Sequence, residues 1–280
     1  MAAKSKPMAK KLKQATGLFS LEGKVVFLSG AGGHLGAAMA HGVAEAGGTV
    51  ILNGRDPEKL KKLQTELKKN GGKAVVWASD ITDEKQHRAT AKFIEKEFGR
   101  LDVLINNAYA GRTGSVKVAT LEDFTDSYDI AVSKPFRLIQ TLMPLLKKSA
   151  AENPAGSSII NIASMYGMVS PDPRIYDNEA HVNPPFYGAA KGAVLQLTKY
   201  LGCALAPDKI RVNAISPGPF PPPTVAKSNP GFWKKLQGKS PMGRVGRADE
   251  LKGPVVFLSS DASSYMTGSN VVVDGGWTAW

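Results

Sequence analysis

The stretch Lys24-Val25-Val26-Phe27-Leu28-Ser29-Gly30-Ala31-Gly32-Gly33-His34-Leu35-Gly36 decides how this chain is read. Lys24 to Ser29 is short and mostly apolar, as a buried strand is. Ser29 to Gly36 is a glycine-rich turn, and a helical pattern runs on through Met39 to Ala46. Glycines between a strand and a helix let the backbone turn tightly and come close to a pyrophosphate. The helix start then offers unpaired N–H groups and the positive end of its dipole. A tight turn alone carries the same glycines; the strand–turn–helix context makes the dinucleotide reading the stronger one.

Outward from this unit the same alternation repeats. Strands are expected at Thr49–Asn53, Ala74–Ala78, Leu101–Asn106, Ser158–Ile162, Ile210–Ile215 and Asn270–Asp274, with helical patterns between them. Asp56-Pro57 reads as a helix start, aspartate capping and proline in the first turn. Strands alternating with helices predict an α/β fold. The expectation is a single Rossmann-fold domain with a seven-stranded parallel doubly wound sheet, helices on both faces and right-handed crossovers. Residues 1–20 read as a basic, flexible tail and 21–280 as the domain. Pro217 to Pro223 opens a lid extending to about residue 240.

The 280 residues are 42% hydrophobic and 21% charged, ordinary for a chain with a real core. The net charge is +12, and five lysines (Lys4, Lys6, Lys10, Lys11, Lys13) stand near the start. No nucleic-acid motif accompanies that charge, no run is long and apolar enough to span a membrane, and no secretory signal appears. Nucleic acid and membrane are therefore not expected as partners, no metal is expected, and the cytoplasm is the expected location. Cys203 is the only cysteine, which excludes an internal disulfide. It lies in an apolar stretch and reads as a small buried hydrophobe.

The turn is similar to the threonine-glycine-x3-glycine-x-glycine turn of the short-chain dehydrogenase/reductase family. Ser29 stands for the threonine, Gly30 and Gly36 keep their places, and His34 replaces the middle glycine. The resemblance extends over nearly all of 21–280. Asp80-Ile81 resembles the family's adenine-contacting pair. Asn106-Asn107-Ala108-Tyr109 resembles Asn-Asn-Ala-Gly, with Tyr109 in place of glycine. Pro217-Gly218 resembles the nicotinamide-side turn, with Phe220 just beyond, and Asp274-Gly275-Gly276 matches the last-strand ending. The cofactor contacts so implied are Ser29, Gly30, Gly32, Gly33, His34, Leu35 and Gly36 at the turn. Asn53, Gly54 and Arg55 follow the second strand, and Asp80, Ile81, Asn107, Ala108, Tyr109, Pro217, Gly218 and Phe220 lie beyond. An acid at the end of the second strand would bind both ribose hydroxyls. Asn53-Gly54-Arg55 instead presents a guanidinium able to fork onto a phosphate, which favours NADP(H) over NAD(H).

Tyr187-Gly188-Ala189-Ala190-Lys191 places a phenol and an amine one helical turn apart. By the resemblance, Tyr187 is the general acid/base, Lys191 lowers its pKa and binds the nicotinamide ribose, and Ser164 orients the substrate oxygen. Tyr187 and Lys191 thus count as both catalytic and cofactor-binding. A free tyrosine, with a pKa of about 10, holds its proton too tightly to act as a base near neutrality. A nearby ammonium favours the phenolate.

Two features depart from the family. Ala131 occupies the position of its catalytic asparagine, where alanine cannot hold the water of a proton relay; Ser127 lies one turn earlier. The interval from Ser164 to Tyr187 is long, and the extra segment, about 171–185, contains Asp172, Arg174, Tyr176, Asp177, Asn178, Glu179 and His181. Its polarity, with a weaker similarity to gluconate 5-dehydrogenase-like and sugar-modifying members, points to a sugar acid, keto-sugar or polyol as the carbonyl or alcohol substrate. A 3-oxoacyl-acyl-carrier-protein reductase-like enzyme and a catalytically weak dinucleotide sensor are the alternatives. A homotetramer or homodimer is expected, as the family commonly forms tetramers.

Overall fold

A computed structural model describes residues 14–280. Its seven strands are β1 (Val25–Leu28), β2 (Thr49–Gly54), β3 (Lys73–Ala78), β4 (Val103–Asn106), β5 (Ser157–Ile162), β6 (Ile210–Pro217) and β7 (Asn270–Val273). They form one sheet in the order β3-β2-β1-β4-β5-β6-β7, parallel throughout. The helices are α1 (Ala15–Leu18), α2 (His34–Glu45), α3 (Pro57–Lys69), α4 (Glu84–Phe98), α5 (Leu121–Tyr128), α6 (Lys134–Glu152), α7 (Pro185–Ala204), α8 (Thr224–Ser228), α9 (Pro230–Lys239) and α10 (Lys252–Ser259). Asp56 caps α3 as expected, accepting from the N–H groups of Glu58 and Lys59.

The strands explain why both faces are covered. Val26 and Leu28 pack on one side with Met39 and Val43 of α2, Leu60 of α3 and Val255 of α10. Phe27 and Leu104 pack on the other with Ile94 of α4, Leu142 of α6 and Leu201 of α7. A strand's side chains alternate between faces, so a continuous apolar run feeds two cores at once. The doubly wound seven-stranded sheet is as expected.

Strand β6 runs two residues past its expected end and closes on Pro217, opposite Val273. Proline is tolerated there because Gly218 donates to Val273, which turns the Pro217 nitrogen toward β5, and β5 has already ended at Ile162.

Most of the expected tail, residues 1–13, lies outside the described residues. Ala15–Leu18 form a helical turn, and the Phe19 ring lies 6.3 Å from that of Phe257. Packing thus begins before Leu21, because Phe19 brings an aromatic ring to α10. Cys203 also departs from expectation: it is exposed. Leu201 and Gly202 carry the buried face of α7 there, and the helix turns the next residue outward. No helix among the described residues is long and apolar enough to cross a membrane.

Candidate active site

The sheet order reverses between β1 and β4, and the crevice at such a switch point is where open α/β sheets take ligands. Ser29 stitches this seam. Its hydroxyl accepts from the N–H groups of Asn107 (2.9 Å) and Ala108 (3.1 Å) and donates to the Ile105 carbonyl (3.2 Å). The Asn107 amide donates back to the carbonyls of Ser29 and Gly30. Ser29 is fully buried and braces the wall from behind.

The turn above the seam is built at main-chain separation. Gly30 has φ +66°, and a Cβ there would stand 2.9 Å from Ala108 Cα. A Cβ on Gly36 would meet the Gly30 carbonyl at 2.2 Å. Gly33, the residue before α2, has no side chain to cap it, so the helix start is left open toward the crevice. His34 is the first helical residue, and desolvation lowers its pKa.

A cavity of about 540 Å³ opens here. Gly30, Gly32, Gly33, His34, Leu35 and Gly36 line its phosphate side; Gly54, Arg55, Asp80 and Ile81 its far end; Asn107, Ala108, Tyr109 and Phe220 the remainder. Volume, open helix start and glycine cradle fit a dinucleotide. Arg55 is exposed and has no partner among the described residues. Pro217 and Gly218 end β6 outside this lining. Lys59, Ser79 and Pro222 also line the cavity and were not picked out from sequence. Lys59 is legible afterwards, one helical turn beyond Arg55.

Asn53 lines the cavity but is turned inward. Its Nδ2 donates to Ser79 Oγ (2.8 Å) and to the Trp77 and Ser79 carbonyls, while its buried Oδ1 has no partner among the described residues. It ties β2 to the loop after β3.

The residues expected to carry the chemistry lie on α7 and on the turn after β5. Ser164 is buried directly after β5 and starts a short turn, Met165–Gly167, its Oγ accepting from Tyr166 N at 3.1 Å. That turn sits tightly on α7: a Cβ on Gly188 would come within 2.8 Å of the Tyr166 carbonyl. Gly188 therefore sets how near Ser164 comes to Tyr187. Lys191, one turn on, is only 5% exposed and donates to the Ile162 carbonyl at 2.7 Å. Burial pulls its pKa down to about 8.

Tyr187 does not behave as the motif alone predicts. Burial raises its pKa, and a hydrogen bond with Ser164 only partly opposes this. The Lys191 ammonium is held by Ile162, 5.7 Å from the Tyr187 ring centre, so in the protein alone desolvation outweighs any help from the cation.

Tyr109 leans into this group, its ring 5.0 Å from that of Tyr187, edge to face. Its hydroxyl lies 2.9 Å from Ser127 Oγ, and Ser127 donates to the Phe186 carbonyl at 3.2 Å. Ala131 lies within a π-helical turn, Asp129–Ser133, that separates α5 from α6. Such turns are rare and gather at functional sites.

The inserted segment spends its charges on its neighbours. Asp172 pairs with Lys239 and Arg174, Asp177 with Lys235 and Asn229, and Glu179 with Lys117. Tyr176 stacks on Phe232 of α9. These ion pairs hold the segment in place, and Glu179 and Asn183 also face the cavity beside it. A second cavity, about 630 Å³, lies beside it, with Val116, Met168, Val169 and Val182 in its walls.

A family model described as enoyl-(acyl carrier protein) reductase matches residues 30–278. The chain is 32% identical to a 3-oxoacyl-acyl-carrier-protein reductase of Thermotoga maritima, over 91% of this chain and 98% of that one. It is 31% identical to the 2-dehydro-3-deoxy-D-gluconate 5-dehydrogenase of Dickeya dadantii, over 93% and 98%. Among solved structures, a short-chain type dehydrogenase/reductase from Mycobacterium marinum matches with TM-score 0.84 and 32% identity, covering 96% of this chain and 100% of that one. A gluconate 5-dehydrogenase from Burkholderia cenocepacia, in complex with NADP and tartrate, matches with TM-score 0.82 and 28% identity, covering 95% and 100%. An NAD+-bound xylitol dehydrogenase matches with TM-score 0.80 and 31% identity, covering 91% and 99%. The chain belongs to the short-chain dehydrogenase/reductase family, oxidoreductases that act on an alcohol or carbonyl with a nicotinamide nucleotide.

Proposed function

We propose that this protein is an NADP(H)-dependent reductase/dehydrogenase of a polar carbonyl or secondary alcohol, a sugar acid, keto-sugar or polyol. The observation that carries it is Ser164, Tyr187 and Lys191 gathered on the turn after β5 and on α7, at the same end of the sheet as the glycine cradle. The bound nucleotide supplies or accepts the hydride. Tyr187 gives the proton to the carbonyl oxygen in reduction and takes it from the hydroxyl in oxidation. Ser164 hydrogen-bonds the same oxygen and orients it. Lys191, brought against the nicotinamide ribose, supplies the positive charge that brings Tyr187 down from its raised pKa.

The NADP(H) preference rests on Arg55, exposed at the cavity's far end, with Lys59 one turn on. Asp56, the nearest acid in sequence, is occupied in capping α3. The sugar-acid reading draws on the gluconate-type relatives. A 3-oxoacyl thioester is the second reading, favoured by Val116, Met168, Val169 and Val182 in the walls of the second cavity and by the similarity to the Thermotoga maritima reductase. The single cysteine is compatible with a reducing compartment, which is the support for a cytoplasmic location. A homotetramer or homodimer is supported by the exposed apolar residues Leu121, Phe124 and Tyr128 along α5.

The test is NADPH and NADH oxidation against 5-ketogluconate, other keto-sugars and acetoacetyl thioesters, with Tyr187→Phe as control. NADPH-linked turnover on a keto-sugar is expected, and the variant should lose about 10²–10⁴-fold in rate while still binding NADPH. A variant that turns over as fast as the native protein would remove Tyr187 from the chemistry, and thioester turnover alone would select the second reading.

A further inference from the structure

Tyr109 stands where the family resemblance has a glycine, and its ring and hydroxyl both meet residues of the candidate active site. Lys191 Nζ lies 5.2 Å from the centre of the Tyr109 ring, over its face. That is within the reach of a cation–π contact, which is strongest where water is excluded. Lys191 is such a case: it is buried, and its one hydrogen-bond partner among the described residues is the Ile162 carbonyl.

The hydroxyl end is equally defined. Ser127 has a single proton, and it goes to the Phe186 carbonyl, which can only accept. The Tyr109 hydroxyl must therefore donate to Ser127. This chain of bonds runs from the loop after β4, through the last turn of α5, to the peptide that immediately precedes Tyr187. Burial also raises the Tyr109 pKa, so it remains a neutral phenol. Two tyrosines thus touch edge to face, one committed to a fixed donor bond and the other left for proton transfer.

We propose that Tyr109 is a positioning residue for Lys191: its ring face keeps the ammonium charged and in place, and its hydroxyl is tethered through Ser127 to the carbonyl before Tyr187. A glycine at 109 would leave that face of Lys191 bare. The titratable groups around the pair are few. Tyr109 faces Lys191 and Tyr187 from the β4 loop, Tyr166 influences Tyr187 from the turn after β5, and Ser164 hydrogen-bonds Tyr187. Burial alone accounts for the lowered Lys191.

The proposal takes Lys191 in the role given above, so its test is made without turnover. Cofactor-free protein carrying 13C-labelled lysine is titrated by NMR, with Lys191→Met assigning the resonance. Tyr109→Phe keeps the ring, and its Lys191 midpoint should match the native protein's. Tyr109→Leu fills the space without a π face, and its midpoint should fall by about half a pH unit or more. Tyr109→Met serves the same end if the leucine variant fails to fold. An unmoved midpoint in the leucine or methionine variant overturns the proposal. So does a phenylalanine variant that falls as far as they do, since the hydroxyl and not the ring would then be responsible. Absence of turnover on every carbonyl would count against the proposed function and leave this result standing.

Discussion

The two ends of the crevice are made of different materials. At the nucleotide end the phosphate-side wall is main chain, glycines with no room for a Cβ and a helix start with no side-chain cap, braced from behind by the Ser29–Asn107 seam. At the substrate end the inserted segment is held by side chains, Asp172 and Asp177 to the lysines of α9 and Glu179 to Lys117 across to the β4 loop. Backbone contacts cannot be varied one residue at a time, and they suit a ligand that never changes. Exposed ion pairs are individually weak, and one can be replaced without undoing the others.

The contrast is open to attack from both ends. Gly36→Ala should do the greatest damage, because the new Cβ must displace the Gly30 carbonyl. Overpacking of this kind costs about 1–3 kcal/mol in stability. Thermal unfolding should show the loss, and NADPH affinity should fall with it by about tenfold or more; a variant with native melting and affinity would mean the cradle is not rigid. Arg55→Ala should act on one ligand only. Charge-assisted bonds of this type change affinity by about 10–100-fold, so fluorescence titration should show weakened NADPH and unaltered NADH. Equal weakening of both would remove the argument for NADP(H). The smallest effect belongs to Asp177→Asn. A KM increase below about threefold is expected, fading at high salt as the native pair is screened. An effect on KM larger than that of Gly36→Ala on affinity would reverse the comparison.

The same division decided how much was legible in the sequence. Strand alternation and the glycine spacing are local patterns with a physical period, and they placed the sheet and the cradle. Ser164, Tyr187 and Lys191 followed because α7 fixes the spacing of two of them. What escaped was set by tertiary contact. Nothing near Cys203 in sequence shows that α7 turns it outward. Nothing near Asn53 shows its amide turned onto Ser79. Most partners of the insertion's charges lie far off in sequence, as Asn229 does from Asp177, so the segment alone does not reveal them. The Tyr187 environment is not legible either, since the motif carries the spacing of Lys191 but not its bond to Ile162.

The alternation along the strands has one more consequence. Met39 and Leu142 are both fully buried, yet the sheet lies between them and they belong to separate clusters. Side chains without shared partners respond to substitution independently. The two largest cores therefore share one sheet but are separate in their energetics. A change absorbed by α2, α3 and α10 need not be answered by α4, α6 and α7. The two sides can drift apart in sequence at different rates while the crevice at the end of the strands keeps its shape.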